Sequence, residues 1–141
     1  MQNLKKSLLL LSIALVISAA AVAPAHAQAG RIKADIPFDF VLDKTTMKAG
    51  TYFIQTQGDF LSLRDDAGAT RYVLALPGDK ALLRNGQPYL RFNRYGNESF
   101  LSQIVFAEKN TVRLPQSGRE KELEARSTTG DQIELRAGAS R

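Results

Sequence analysis

The residues best suited to recognition are Arg91, Arg94 and Tyr95, which with Asn93 form the most polar cluster inside a segment patterned as a strand. A guanidinium presents a rigid fork of donors that matches carboxylates and other anions, so the three read as a weak surface-binding candidate. The competing reading is that the arginines pair with Asp or Glu on a neighbouring strand. Asp35 and Asp39 lie four apart on the wet face of the first strand, and two carboxylates could in principle do acid–base work on a glycan. Four residues of strand at about 3.3 Å each set them roughly 13 Å apart, too far to cooperate unless Pro37 bends the chain sharply. Asp65-Asp66-Ala67-Gly68 has the chemistry of a tight turn rather than of a cation loop. Asn97-Glu98-Ser99 matches a glycosylation acceptor and marks an exposed loop. The chain has no Cys and a single His, His26. His26 falls in a segment that export removes, so thiol chemistry, disulfides, His or Cys metal sites and a Ser-His-Asp triad are all excluded from the remainder. No Gly-x-Gly-x-x-Gly, phosphate-binding loop or Ser-x-x-Lys occurs. These observations assign no catalytic, cofactor-binding or metal-binding residue, predict no cofactor, and argue against an enzyme.

Export is predicted from the first 27 residues. Lys5 and Lys6 precede an uncharged apolar stretch over residues 7–23, Pro24 breaks it, and Ala25-His26-Ala27 places small residues at both positions a signal peptidase reads. The apolar stretch is shorter than the roughly 20 residues that span a bilayer, which favours cleavage after Ala27 over an anchor. Residues 1–27 are thus read as a secretory signal peptide and residues 28–141 as a single β domain in the periplasm or outside the cell. No Cys follows the apolar run, so lipid attachment is excluded. The remainder carries no long apolar run, so no membrane insertion is expected of it. Loss of Lys5 and Lys6 leaves 17 Lys+Arg against 14 Asp+Glu, a net charge of +3. That is too mild for a nucleic-acid footprint.

The elements that must position these groups are strands. Gly50, Gly58, Gly68, Gly78, Gly86 and Gly96 fall eight to ten residues apart, separated by short segments rich in Val, Ile, Phe, Tyr and Thr. Residues 32–42 alternate, with Ile32, Ala34, Ile36, Phe38, Phe40 and Leu42 on one face; Pro37 makes this strand an edge or bulged there. Further strands are predicted over 51–57, 60–64, 70–76, 81–84, 89–94 and 100–107, with Asn85-Gly86 as a hairpin turn. In the 100–107 strand Phe100, Ser102, Ile104 and Phe106 share one face, and both faces are apolar enough for a central position. Ser117 and Glu120 have capping-box spacing, which starts a short helix over 119–126 held at Leu123. A last strand covers 132–136. The expected architecture is all-β: a small antiparallel barrel or two-sheet sandwich of seven to eight short strands with one short C-terminal helix. Its aromatic residues are expected to fill the interior.

Several stretches are similar to a family of short exported bacterial β proteins, found chiefly in acidobacteria. They are Ile36-Pro37-Phe38-Asp39-Phe40, Ala49-Gly50-Thr51-Tyr52, Phe92-Asn93-Arg94-Tyr95-Gly96, Phe100-Leu101-Ser102 and Leu114-Pro115-Gln116-Ser117 with Glu120, Glu122 and Leu123. The matches run in order through nearly the whole chain after the signal. Met47-Lys48 stands where the family carries Leu-Pro before the Ala-Gly, so that loop is expected to differ. The resemblance implies an exported β protein and transfers no activity, ligand or site residue. The function expected is a non-catalytic structural or interaction module of the bacterial envelope or exterior, with an envelope protein or glycan surface as partner. A small-ligand-binding β-barrel is the alternative, and a carboxylate-based enzyme the third.

Overall fold

Alternation over residues 32–42 requires one buried row. Ile32, Ala34, Ile36, Phe40 and Leu42 are buried, while Lys33, Asp35 and Asp39 are exposed and Phe38 is half-buried. The structure, a computed structural model, describes residues 30–81, 83, 85–107, 110–127 and 130–139; Ala25 and Ala27, where cleavage is expected, lie outside them. The alternating row is not one strand. It divides into β1 (Arg31–Ile36) and β2 (Phe40–Leu42), which belong to different sheets. Pro37 cannot donate to a ladder, so pairing stops there. Asp39 then fixes the corner by accepting from the Ala49 backbone N–H at 2.9 Å and from Lys48 Nζ at 2.8 Å.

The chain continues through β3 (Thr45–Met47), β4 (Gly50–Gln57), β5 (Phe60–Asp65), β6 (Thr70–Leu74), β7 (Leu76–Pro77), β8 (Tyr89–Tyr95), β9 (Glu98–Ala107), β10 (Asn110–Arg113), helix α1 (Gly118–Arg126), β11 (Asp131–Arg136) and β12 (Gly138–Ala139). The first sheet has the order β12-β1-β4-β5-β6 and the second β11-β8-β9-β10-β7. In the second sheet β2 also lies parallel to β9, at Val41 and Phe100, and pairs antiparallel with β3. Every other pairing is antiparallel. The chain changes sheets between β1 and β2, between β3 and β4, at Ala75 between β6 and β7, and at Ala137 between β11 and β12. Both alanines are buried, and their N–H groups are satisfied by Asp59 and Pro88 carbonyls. The strand segments outnumber the seven to eight expected because three extended runs fold across these corners, and because β3 and β10 carry no strong sequence signal. Ala81 and Leu83 of the strand expected over 81–84 are not in a strand, and residues 82 and 84 lie outside the described ones. Asn85 and Gly86 still take the positive φ values, 54° and 72°, that the Asn-Gly pair favours.

The two sheets face each other across one core. Phe40 and Tyr52 meet edge to face across it at 5.4 Å, and Phe92 receives Phe40 at 5.6 Å and Phe38 at 5.2 Å. Leu61, Leu63, Ile54, Leu90 and Ile104 are fully enclosed around these rings. The β8–β9 ladder shifts register between Arg91 and Phe92, which pair with Gln103 and Leu101, so Ser102 has no opposite residue. Its hydroxyl donates to the Arg91 carbonyl at 3.0 Å. This bulge corrects the single-face reading of the strand. Leu101, Ile104 and Phe106 join the core, whereas Phe100 turns to the other side of the sheet and packs on Tyr95.

Helix α1 lies against that outer side. Ser117 Oγ accepts from the Glu120 N–H at 3.1 Å, so the predicted cap forms. The residue that seats the helix is Glu120, which is buried, rather than Leu123, which is half-buried. Replacing Ser117 with Ala is expected to cost about 1 kcal/mol. A urea titration would show it as a lowered midpoint with unchanged slope, and an unmoved midpoint would contradict the cap's energetic role.

Candidate binding face

Strand alternation leaves each sheet one outer face, and the two faces differ in how their charges are used. On the second sheet, Arg91 points outward from β8. Its Nη2 lies 2.8 Å from Glu134 Oε1 on β11, and its Nη1 donates to Gln103 Oε1 on β9 at 2.8 Å. Every direction of the guanidinium fork toward a neighbouring strand is occupied, so the cross-strand reading holds for Arg91. Arg119 of α1 likewise pairs with Glu98 at 2.6 Å. Arg94 sits at the alternate position of β8, on the opposite side from Arg91, with Nε donating to the Gly96 carbonyl at 3.3 Å. Tyr95 is buried, edge-on to Phe100, and its ring fills the place where a Cβ on Gly130 would sit. Burial, then the Glu124 and Glu120 carboxylates, raise its phenol above the ordinary range. The three cluster residues therefore do not converge. Arg91 lines two open grooves of about 510 and 690 Å³, one beside Gln116 and Lys121 and the other beside Asp79, Lys80 and Asn85, with its charge already compensated.

The outer face of the first sheet is built differently. Register places Arg31, Gln55, Ser62 and Tyr72 in one row across β1, β4, β5 and β6. Lys33, Phe53, Arg64 and Thr70 form the next row, and Gln57, Phe60 and Leu74 lie on the other side of the first. Adjacent strands are about 4.8 Å apart, so these side chains form a continuous platform. Phe53 is flanked by two cations, Lys33 Nζ at 5.8 Å from its centroid and Arg64 Cζ at 5.4 Å. Such contacts orient the cations without neutralising them. Gln55 Oε1 accepts from both Nε and Nη2 of Arg31, at 3.0 and 2.8 Å, and so fixes that guanidinium with an uncharged partner. Among the described residues, none of Arg31, Lys33 and Arg64 is in an ion pair. No carboxylate stands in these three rows; Asp35, one row beyond Lys33 and Phe53, accepts from Thr51 Oγ1 at 2.6 Å. A trough of about 320 Å³ opens here, lined by Arg31, Phe53, Gln55, Arg64, Thr70 and Tyr72 among others.

Tyr72 in the trough and Phe60 and Leu74 beside it are 62, 52 and 48 % exposed. This overturns the expectation that the aromatic residues are all core. The signal that could have found them is parity. Leu61 and Leu63 are the apolar row of β5, so Phe60, Ser62 and Arg64 must face away from it. Tyr72 and Leu74 follow through the β5–β6 register.

Chemically, the platform can hold a ligand but offers no proton-transfer pair. Asp35 and Asp39 are each committed to hydrogen bonds that hold local structure. The Lys48 ammonium and the Ala49 N–H hold Asp39 below the usual carboxylate range. No group of three or more acidic or imidazole side chains that could hold a metal occurs among the described residues. No helix among them is long and apolar enough to cross a membrane. Comparison with known proteins finds no matching family model, no matching curated protein and no matching solved structure.

Proposed function

We propose that the chain is an exported, non-catalytic interaction module of the bacterial envelope or exterior, and that it works through the outer face of its first sheet. The observation that carries this reading is the coincidence, on one open sheet face, of three exposed apolar side chains with three cations that have no ionic partner among the described residues. Exposed apolar patches of this kind mark contact surfaces. The alternative of a ligand-enclosing barrel receives less support, because rings in mutual edge contact occupy the space between the sheets that a ligand would need. Export is supported by the Lys5-Lys6, apolar, Ala25-His26-Ala27 succession.

The test is fractionation of expressing cells followed by intact-mass analysis. The exported protein should begin at Gln28 and should be retained with the envelope fraction. Replacing Tyr72 and Leu74 with Ser should release it to the soluble fraction while its thermal midpoint stays unchanged. A chain retaining Met1, or a doubly substituted protein held as firmly as the wild type, would contradict the reading.

A further inference from the structure

We propose that the first sheet's outer face binds an acidic polysaccharide, a polymer of uronic-acid-type sugars, along the Arg31–Gln55–Ser62–Tyr72 row. This deepens the function proposed above and rests on it. Three kinds of group meet in that trough, and a uronate polymer uses each of them. Arg31 and Arg64 supply guanidinium forks for carboxylates, with Lys33 as a further positive charge. Gln55 spends one oxygen on Arg31, which leaves its amide N–H groups for sugar hydroxyls; Gln57 and Thr70 offer further donors and acceptors on the same surface. Tyr72 and Phe60 present broad, solvent-facing aromatic surface on which the apolar C–H face of a sugar ring can lie.

Charge decides against the second sheet as the site. There Arg91 and Arg119 are already paired with Glu134 and Glu98, and an incoming carboxylate would have to displace them. On the first sheet the cations are held by an amide and by a ring, so an anion meets no internal competitor.

Two other occupants fit less well. A second copy of the chain could add to the free edge of β6, but Arg71 is an exposed charge on the side of that strand opposite Tyr72, a feature that discourages edge pairing. A single-stranded nucleic acid would use the rings and cations, yet the exported chain carries a net charge of only +3.

The decisive experiment measures binding of the purified chain 28–141 to polygalacturonate and alginate. Dextran serves as a neutral polymer, and a single-stranded oligothymidylate and phosphatidylglycerol-containing vesicles serve as other anions. The expected result is saturable binding to a polyuronate that weakens with added salt and is absent with dextran. The Arg31→Gln/Arg64→Gln double variant should weaken it by more than tenfold. Tyr72→Ala, at a position too exposed to threaten the fold, should weaken it by on the order of tenfold. Lys121→Gln, on the opposite side of the molecule, should leave it unchanged. The inference fails if neither polyuronate binds, if dextran binds equally, or if Lys121→Gln weakens binding as much as the arginine variant. It also fails if the oligonucleotide or the vesicles bind more tightly than either polyuronate. In each of those cases envelope retention through Tyr72 and Leu74 would still stand or fall on the fractionation test alone.

Discussion

Replacing Phe92 with Ala is expected to destabilise the protein by about 3–5 kcal/mol, a large part of the roughly 5–15 kcal/mol that holds a domain of this size. Phe92 is completely enclosed, and its ring stands in T-shaped contact with both Phe38 and Phe40. Phe40 in turn meets Tyr52 of the opposite sheet. Truncation at Phe92 therefore removes the shared member of a chain of rings joining the β1–β2 corner to β8. The described residues of a chain without Cys have no covalent cross-link to compensate. The loss should exceed that of Phe38→Ala, since Phe38 is only half-buried and has less contact to give up. Urea denaturation of the two variants separates them. Equal midpoints would mean that the ring chain is not the mechanical centre of the core, and a loss under about 1 kcal/mol at Phe92 would mean that the site collapses around the gap.

What the sequence made legible, and what it hid, follows the reach of each interaction. Alternation is local, so the buried row of residues 32–42 could be read correctly even though the strand breaks in its middle. The corner at Pro37 preserves side-chain parity while changing the sheet, and parity is all that alternation records. The bulge at Ser102 does the opposite. It shifts parity within one continuous strand, and nothing in Phe100-Leu101-Ser102-Gln103-Ile104 marks where the extra residue lies; the partner strand sets it. The cap at Ser117 was legible because it depends on residues three apart. The candidate binding face was not, because its rows join residues from four strands through long-range register. Arg91, Arg94 and Tyr95 look like a cluster in sequence because they are consecutive or nearly so, yet neighbours on a strand face opposite ways. Arg31 and Tyr72, far apart in sequence, share a trough.

Glu120 offers the sharpest separation of charge from hydrogen bonding in this fold. It is 3 % exposed, at the third position of α1, with Oε1 accepting from Asn93 Nδ2 at 2.9 Å. Burial pushes its carboxyl above the usual range, and the Glu124 charge adds to this. Hydrogen bonds from Asn93, Gln116 and the Ser117 backbone pull the other way without cancelling the rise. A carboxyl with a raised folded pKa holds its proton in the folded state after the unfolded chain has lost it. Its contribution is thus fully present below the unfolded value, near 4.5, and is lost as pH rises through the higher folded value. Glu120→Gln removes that titration and keeps an oxygen for Asn93, so the variant should equal or exceed the wild type at pH 7. Below pH 4 the two should converge, because both side chains are then neutral. Glu120→Ala should lose stability at both pH values, by about 1–3 kcal/mol for an orphaned buried donor, because the Asn93 amide is left without its acceptor. Urea midpoints of the three proteins below pH 4 and at pH 7 measure this directly. If Gln were as damaging as Ala at pH 7, the site would depend on the negative charge, set at the positive end of the α1 dipole, and the hydrogen bond to Asn93 would be secondary.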